Sequence, residues 1–220
     1  MAKPEGNLIG TVAVTALLTA ATAYAVYATY DWSRDRIAAN ERARLVARLN
    51  SVLDASLRGR DLTTTRISVS DATLSEDGPI DVFVLTENVT PVATVFATVA
   101  PHGYNAAINL LVGISSQATV TGTRTVRHRE TTGLGDAIDI SKSAWITQFD
   151  GKTLREPDVL LWAVDKDDGA FDSITGATVT SRAVVTAVKD TLLYFEQHSD
   201  EIFSEAAAAA AANSSDDELE

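Results

Sequence analysis

Five hydroxyl side chains and one glycine fall within the ten residues DSITGATVTS, positions 172–181. They stand just ahead of Val184, Val188, Leu192 and Phe195, apolar residues that recur at helical spacing. Two kinds of chemistry suit such a stretch. A Ser or Thr oxygen at a helix start accepts hydrogen bonds from backbone N–H groups that lack an intrahelical partner. The same N–H groups, together with the positive end of the helix dipole, attract a phosphate. A second loop, RHRETTGLGD at positions 127–136, is also dense in small and polar residues, and Gly133 and Gly135 there can simply make a turn. A Walker loop, a dinucleotide fingerprint, a nucleophile elbow and a paired-histidine zinc motif are all missing, so hydrolase and kinase readings have no support.

Composition narrows the chemistry further. The chain contains no cysteine, which excludes disulfides, zinc-thiolate sites and thiolate-held iron–sulfur clusters. Its three histidines, His102, His128 and His198, lack the spacing of a helical metal site. If the protein moves electrons, an organic cofactor must carry them. A formal charge of −12 and a pI near 4.6 argue against a nucleic-acid partner, which requires a basic surface.

The elements that must position these loops can be read along the 220 residues, of which 45% are hydrophobic, enough for one domain with attachments. Positions 8–30 hold 23 residues without a charge, long enough to cross a hydrocarbon core of about 30 Å. A secretory signal with Ala23-Tyr24-Ala25 as cleavage site is the competing reading, but signal cores run only about 7–15 residues, so an uncleaved anchor over 1–32 is preferred. Tyr24, Tyr27, Tyr30 and Trp32 gather at one end as interfacial aromatics do, and Thr11, Thr15, Thr19 and Thr22 share one face, which suits membrane partners. Arg34, Arg36, Arg42, Arg44 and Arg48 follow the span; taken alone they would keep the body cytoplasmic. Ile37, Leu45, Leu49, Val52 and Leu53 instead suggest that these arginines ride on an amphipathic helical stalk over 33–60.

The body, 61–203, begins β-rich. Strands are expected over 80–86, 92–100, 108–114 and 119–126, then a short helix over 143–149 and a longer one after Ser181. The expected fold is α+β, a mainly antiparallel sheet packed by helices, behind one N-terminal transmembrane helix. Seven alanines from Ala206 and an acidic end make 204–220 a low-complexity tail that need not pack.

DSITGAT resembles the flavinylation motif of the FMN-binding subunits of two related membrane complexes, in which the last threonine is esterified to the phosphate of FMN. With GYNAAINLLVGI, TVTGTR, ETTGLGD, WITQF and FDSITGATVTSRAVVTAVK in the same order and spacing, the chain resembles the G subunit of the Rnf electron transport complex, the ion-translocating ferredoxin:NAD oxidoreductase. The C subunit of the sodium-translocating NADH:quinone reductase is the alternative within the family, and a membrane-anchored flavin-binding sensory module the alternative outside it. A proline usual in the ETPGLG loop is Thr132 here, which should loosen that loop.

The resemblance implies a covalent FMN on Thr178, with Asp172, Thr175, Gly176 and Ala177 completing the motif. It further implies that Tyr104 and Leu134 lie against the flavin ring, that Glu130, Thr131 and Gly135 offer contacts from the facing loop, and that Lys166 is the nearby cation. Thr180 or Ser181 is then left to cap the helix. A link through the phosphate fixes the cofactor without altering the ring, so its tuning falls to the pocket. The implied partners are the other membrane subunits of the complex, a flavin transferase and membrane lipid. The implied location is a bacterial inner membrane, spanned once, with the flavin domain on the periplasmic side. Large domains cross a membrane largely regardless of flanking charge, which reconciles that side with the arginines.

Overall fold

The computed structural model describes residues 8–57, 63–87 and 90–217. The apolar run and most of the stalk form a single helix, α1 (Leu8–Ser51). No Pro interrupts it and no Gly follows Gly10, so nothing breaks it at the boundary expected near residue 32. Its threonine hydroxyls do not compete with the helix, because Thr15, Thr19, Thr22 and Thr29 each donate to a carbonyl one turn earlier. Val12, Leu17, Leu18, Val26 and Tyr27 are exposed, and the helix is long and apolar enough to cross a membrane, with a mean hydropathy of 1.5 over its most apolar window. The chain divides into two units, Met1–Ala47 and Arg48–Glu220.

The second unit is built on an antiparallel sheet: β1 (Thr63–Val69), β2 (Ile80–Glu87), β3 (Thr90–Phe96), β4 (Val99–Ala100), β5 (Ile108–Ser115) and β6 (Val120–Arg127). The order is β1-β2-β3-β5-β6, with β4 pairing the start of β5 beyond the end of β3. The single run expected over 92–100 is therefore two strands on one line. They part at Ala97 and Thr98, where the Ala97 N–H turns to the carbonyl of Asp81 and the Val99 N–H to that of Leu74. β1 is not among the expected strands because five of the seven residues of TTTRISV are polar, although its alternate residues Thr65, Ile67 and Val69 are buried.

Period-two alternation sends side chains to two cores. Val82, Val84, Leu110, Val112 and Ile114 join one core with Val184, Val188, Leu192 and Phe195 of α2 (Thr178–Asp217). Phe83, Leu85, Val95 and Leu111 join the other, with Leu49, Val52 and Leu53. Both faces are thus covered, and the end of the expected stalk is part of the domain. Gly113 and Gly122, paired across β5 and β6, make this possible. A Cβ on either would come within 2.4 or 2.9 Å of the Val52 carbonyl oxygen, which also accepts a hydrogen bond from the Thr121 hydroxyl at 2.6 Å.

After β6 the chain makes 3-10 turns at Gly135–Ile138, Ala144–Phe149, Val159–Leu161 and Asp165–Asp167 before α2 begins. Phe149, Trp162 and Phe171 pack together under this region, so its loops rest on an aromatic floor. The helix expected over 143–149 is one of these 3-10 turns. The tail differs more. α2 continues through the alanines to Asp217, Ala206 is 2% exposed, and Ala209 packs against the core. Alanine is the strongest helix former, so a run that reads as low complexity extends the helix instead.

Candidate functional site

The stretch 172–181 is a turn fixed on both sides. Asp172 is held by its backbone: its carbonyl accepts the Trp145 indole N–H at 2.7 Å, and its N–H donates to Gln148 Oε1 at 2.8 Å. Five residues later the Ala177 N–H closes a β-turn onto the Ile174 carbonyl at 2.9 Å, with Gly176 at φ 80° in its third position. That φ marks a type II turn, which favours glycine there. Ser181 locks the turn from inside α2. Its hydroxyl, fully buried, accepts the Ile174 N–H at 2.9 Å and donates to the Ala177 carbonyl at 3.1 Å.

This use of hydroxyls departs from the expected capping. Thr180 and Ser181 lie inside α2, and neither bonds a first-turn N–H. The residue before the helix is Ala177, which has no side-chain acceptor. Among the described residues no acceptor meets the N–H groups of Thr178, Val179 and Thr180, which form an open helix start, the arrangement that suits a phosphate. The Thr178 hydroxyl, half-buried, has no hydrogen-bond partner among the described residues.

The facing loop is built around Glu130. Its side chain, 7% exposed, accepts the Asn105 N–H on Oε1 at 3.1 Å and the Thr180 hydroxyl on Oε2. The Asn105 amide reaches the Arg129 carbonyl at 3.0 Å and the Thr131 hydroxyl at 3.3 Å. The Thr131 carbonyl accepts the N–H groups of Leu134 and Asp136, and the Gly133 N–H donates to the Asp136 carboxylate at 2.8 Å. Gly133 has φ 79°, a left-handed position in this tight loop. The loop is well bonded with threonine at position 132, so the missing proline leaves it closed by these contacts.

Between the two lies a cavity of about 520 Å³, within the range of small-molecule sites. Tyr104, Glu130, Thr131, Leu134 and Gly135 line it from one side, and Gly176, Ala177, Thr178, Val179 and Thr180 from the other. Eight of the residues carried over on resemblance meet there. Asp172, Thr175 and Lys166 do not line it. Lys166 is two-thirds exposed in the turn Asp165–Asp167, with its ammonium 4.0 Å from Asp165. That turn is tied to the site's frame rather than its interior: Ser173 bonds the Asp165 carboxylate, holding it below the usual range, and Arg182 pairs with Asp167 at 2.6 and 2.8 Å to the same effect.

Sequence reasoning misses Asn105, Val179 and the role of Thr180. Thr180 sits two positions from Thr178 and is visible only as another hydroxyl, because its partner Glu130 is 50 residues away.

A family model described as FMN-binding domain matches residues 103–193, a span that contains every residue of the cavity. The G subunit of the ion-translocating oxidoreductase complex of Vibrio vulnificus (strain YJ016) is 39% identical over 190 residues, 86% of this chain and 90% of that protein. The chain belongs to the family of G subunits of ion-translocating oxidoreductase complexes. The corresponding G subunit of Shewanella baltica (strain OS223) is 42% identical over 172 residues, 77% of this chain and 81% of that protein. That of Vibrio parahaemolyticus is 37% identical over 86% of this chain and 90% of its own length.

FMN fits the residues present. Its phosphate matches the free N–H groups of the α2 start, and the partnerless Thr178 hydroxyl stands beside them. Gly135 keeps the wall thin where a Cβ would come within 3.0 Å of Glu130. Tyr104 and Leu134, 69% and 43% exposed, present apolar surface at the mouth for a planar ring.

Proposed function

We propose that the chain is the electron-carrying flavoprotein subunit of a membrane-bound ion-translocating ferredoxin:NAD oxidoreductase, with FMN joined through its phosphate to the Thr178 hydroxyl. One observation carries the attachment site. Among the hydroxyls of 172–181, Thr178 alone both lines the cavity and has no hydrogen-bond partner among the described residues.

When bound, FMN supplies one- and two-electron redox chemistry. The protein's part is to hold, orient and shield it. The α2 start would hold the phosphate. Leu134 and Tyr104, both exposed and lining the cavity, would offer apolar surface to the ring. Glu130 and Thr131 offer polar contacts from the facing loop. Asp172 and Thr175, exposed in the turn, belong to the surface that a flavin transferase reads. Lys166 stands outside the cavity, paired with Asp165.

α1 is proposed to be a single-pass anchor in a bacterial inner membrane, with the flavin domain on the periplasmic side. Alkaline phosphatase fused near residue 200 is expected to be active. An inactive fusion paired with an active cytoplasmic reporter would reverse the orientation.

The attachment is tested by Thr178→Val, which keeps the shape of threonine and removes the hydroxyl. Co-expressed with a flavin transferase, the wild-type chain should gain the mass of one FMN less one water and fluoresce on a denaturing gel. Thr178→Val should do neither, while Thr180→Val should keep both. Retention of the added mass in Thr178→Val would reject the site.

A further inference from the structure

The hydrogen bond between Thr180 and Glu130 is the one polar link that the structure shows across the cavity, from the helix wall to the loop wall, among the described residues. Both residues are buried, Thr180 at 1% and Glu130 at 7% exposure. Among the described residues no cation pairs with Glu130. Its oxygens are met by two neutral donors only, the Asn105 N–H and the Thr180 hydroxyl. A carboxylate in a confined site without a counter-ion is strongly felt by any charge beside it. How strongly depends on where it is held and how far hydrogen bonds offset it.

The backbone is shaped around the pair. A Cβ on Gly135 would lie 3.0 Å from Glu130 Cβ, 3.0 Å from Glu130 Oε2 and 3.3 Å from Thr180 Oγ1. No larger residue fits without moving one partner. Thr178 and Val179, immediately before Thr180, line the same cavity, so the bond also fixes the distance between the attachment residue and the loop that carries Leu134.

We propose that Thr180 is a positioning residue: by donating to the Glu130 carboxylate it orients that group beside the flavin and offsets part of its negative charge, and so sets the flavin's reduction potential. The inference rests on the proposed FMN site and adds to it a residue whose hydroxyl is not the attachment point. A fixed negative charge disfavours further negative charge on a bound ring. Glu130 therefore makes the flavin harder to reduce, and the Thr180 donor moderates that effect.

The test uses the full chain co-expressed with a flavin transferase, comparing wild type, Thr180→Val, Thr180→Ser, Glu130→Gln and the double variant. Intact mass, visible circular dichroism of the flavin and midpoint potential are measured for each. Thr180→Val is expected to keep the FMN mass, change the flavin dichroism and lower the midpoint. Thr180→Ser should restore both, and Glu130→Gln should raise the midpoint. In the Glu130→Gln background, Thr180→Val should cause no further downward shift. An unchanged dichroism and midpoint in Thr180→Val, or an equal shift in both backgrounds, would overturn the proposal. If Thr180→Val does not fold, Gly135→Ala presses on the same pair from the other side and should alter dichroism and midpoint; no change in either overturns it. Loss of FMN mass from Thr180→Val alone also overturns it, whereas a wild-type chain without FMN rejects the flavin reading beneath it.

Discussion

The threonines of α1 and those at the start of α2 share a residue type and a helix, yet their hydroxyls end in different states. In α1, Thr15, Thr19, Thr22 and Thr29 each donate to a carbonyl a turn earlier, at 2.5 to 3.0 Å. At the start of α2 that option is limited, because the chain before Thr178 is a turn rather than a helix. The carbonyl four residues before Thr178 belongs to Ile174, which opens the β-turn closed by the Ala177 N–H and lies outside the helix. Thr180 turns aside to Glu130, and only Ser181 makes the bond one turn back, to Ala177. A hydroxyl in mid-helix is used up by its own backbone, whereas one at a helix start is free unless the fold engages it. Reactivity follows position in the element more than residue type.

The sharpest break in this comparison short of removing the attachment residue is Ser181→Ala. It deletes the acceptor of the part-buried Ile174 N–H and one partner of the Ala177 carbonyl. An unsatisfied buried group costs about 1–3 kcal/mol, to be read as a lower denaturant midpoint at unchanged slope. Covalent FMN occupancy should fall with it, because the turn that presents Thr178 loosens. Full stability and full occupancy would show that the turn holds without Ser181.

Next in size is Gly176→Ala. Its φ of 80° is a left-handed position, which costs a non-glycine residue roughly 1–2 kcal/mol. The added methyl would meet Leu134 Cδ1 at 3.0 Å, but that atom ends a flexible, part-exposed side chain and can give way. The expected loss is therefore the backbone strain, about 1 kcal/mol, again from denaturant midpoints. A loss several times larger would mean that Leu134 cannot move and that the two cavity walls are rigidly matched.

How much of this is legible in the sequence depends on the separation at which each feature is encoded. The period-two runs of β2, β5 and β6 and the helical stripe of α2 are local, and reading them gives the α+β core. β1 is hidden because its buried face includes Thr65. The stalk and the alanine tail mislead because burial of Leu49, Val52 and Ala206 depends on a sheet brought to them from elsewhere. At the site, the motif around Thr178 is contiguous and stands out. The Glu130–Thr180 and Glu130–Asn105 bonds join residues 50 and 25 positions apart, and no short pattern records them.

A smaller effect is expected where a hydroxyl serves a charge at the surface. The Thr73 hydroxyl donates to Asp71 and, ahead of the Thr73 N–H, is the main reason that this carboxyl sits below its ordinary value. A carboxyl lowered by folding adds stability above its unfolded value of 3.8, and that gain is lost as pH falls through the folded value. Thr73→Val should flatten the acid limb of the stability profile below about pH 4, with a change well under about 1 kcal/mol at neutral pH because water screens the pair. An acid limb identical to wild type would show that the Thr73 N–H alone holds Asp71.

The smallest effect belongs to α1. The Thr19 hydroxyl donates to the Thr15 carbonyl at 2.8 Å, but that carbonyl already serves the helix, and the helix bond survives without the side chain. Valine has the same shape and the same restricted χ1 in a helix, so Thr19→Val removes one auxiliary bond and adds a methyl to an already apolar surface. Helix content, membrane insertion and covalent FMN should all match wild type, measured by circular dichroism, carbonate extraction and intact mass. The contrast with Thr178→Val would then be complete: the same change of one atom would be silent in mid-helix and would abolish the cofactor at a helix start. If Thr19→Val instead releases the chain from the other members of the complex while still inserting, its hydroxyl is not spent on its own backbone but shared with a neighbouring helix, and the division drawn between the two sets of threonines fails.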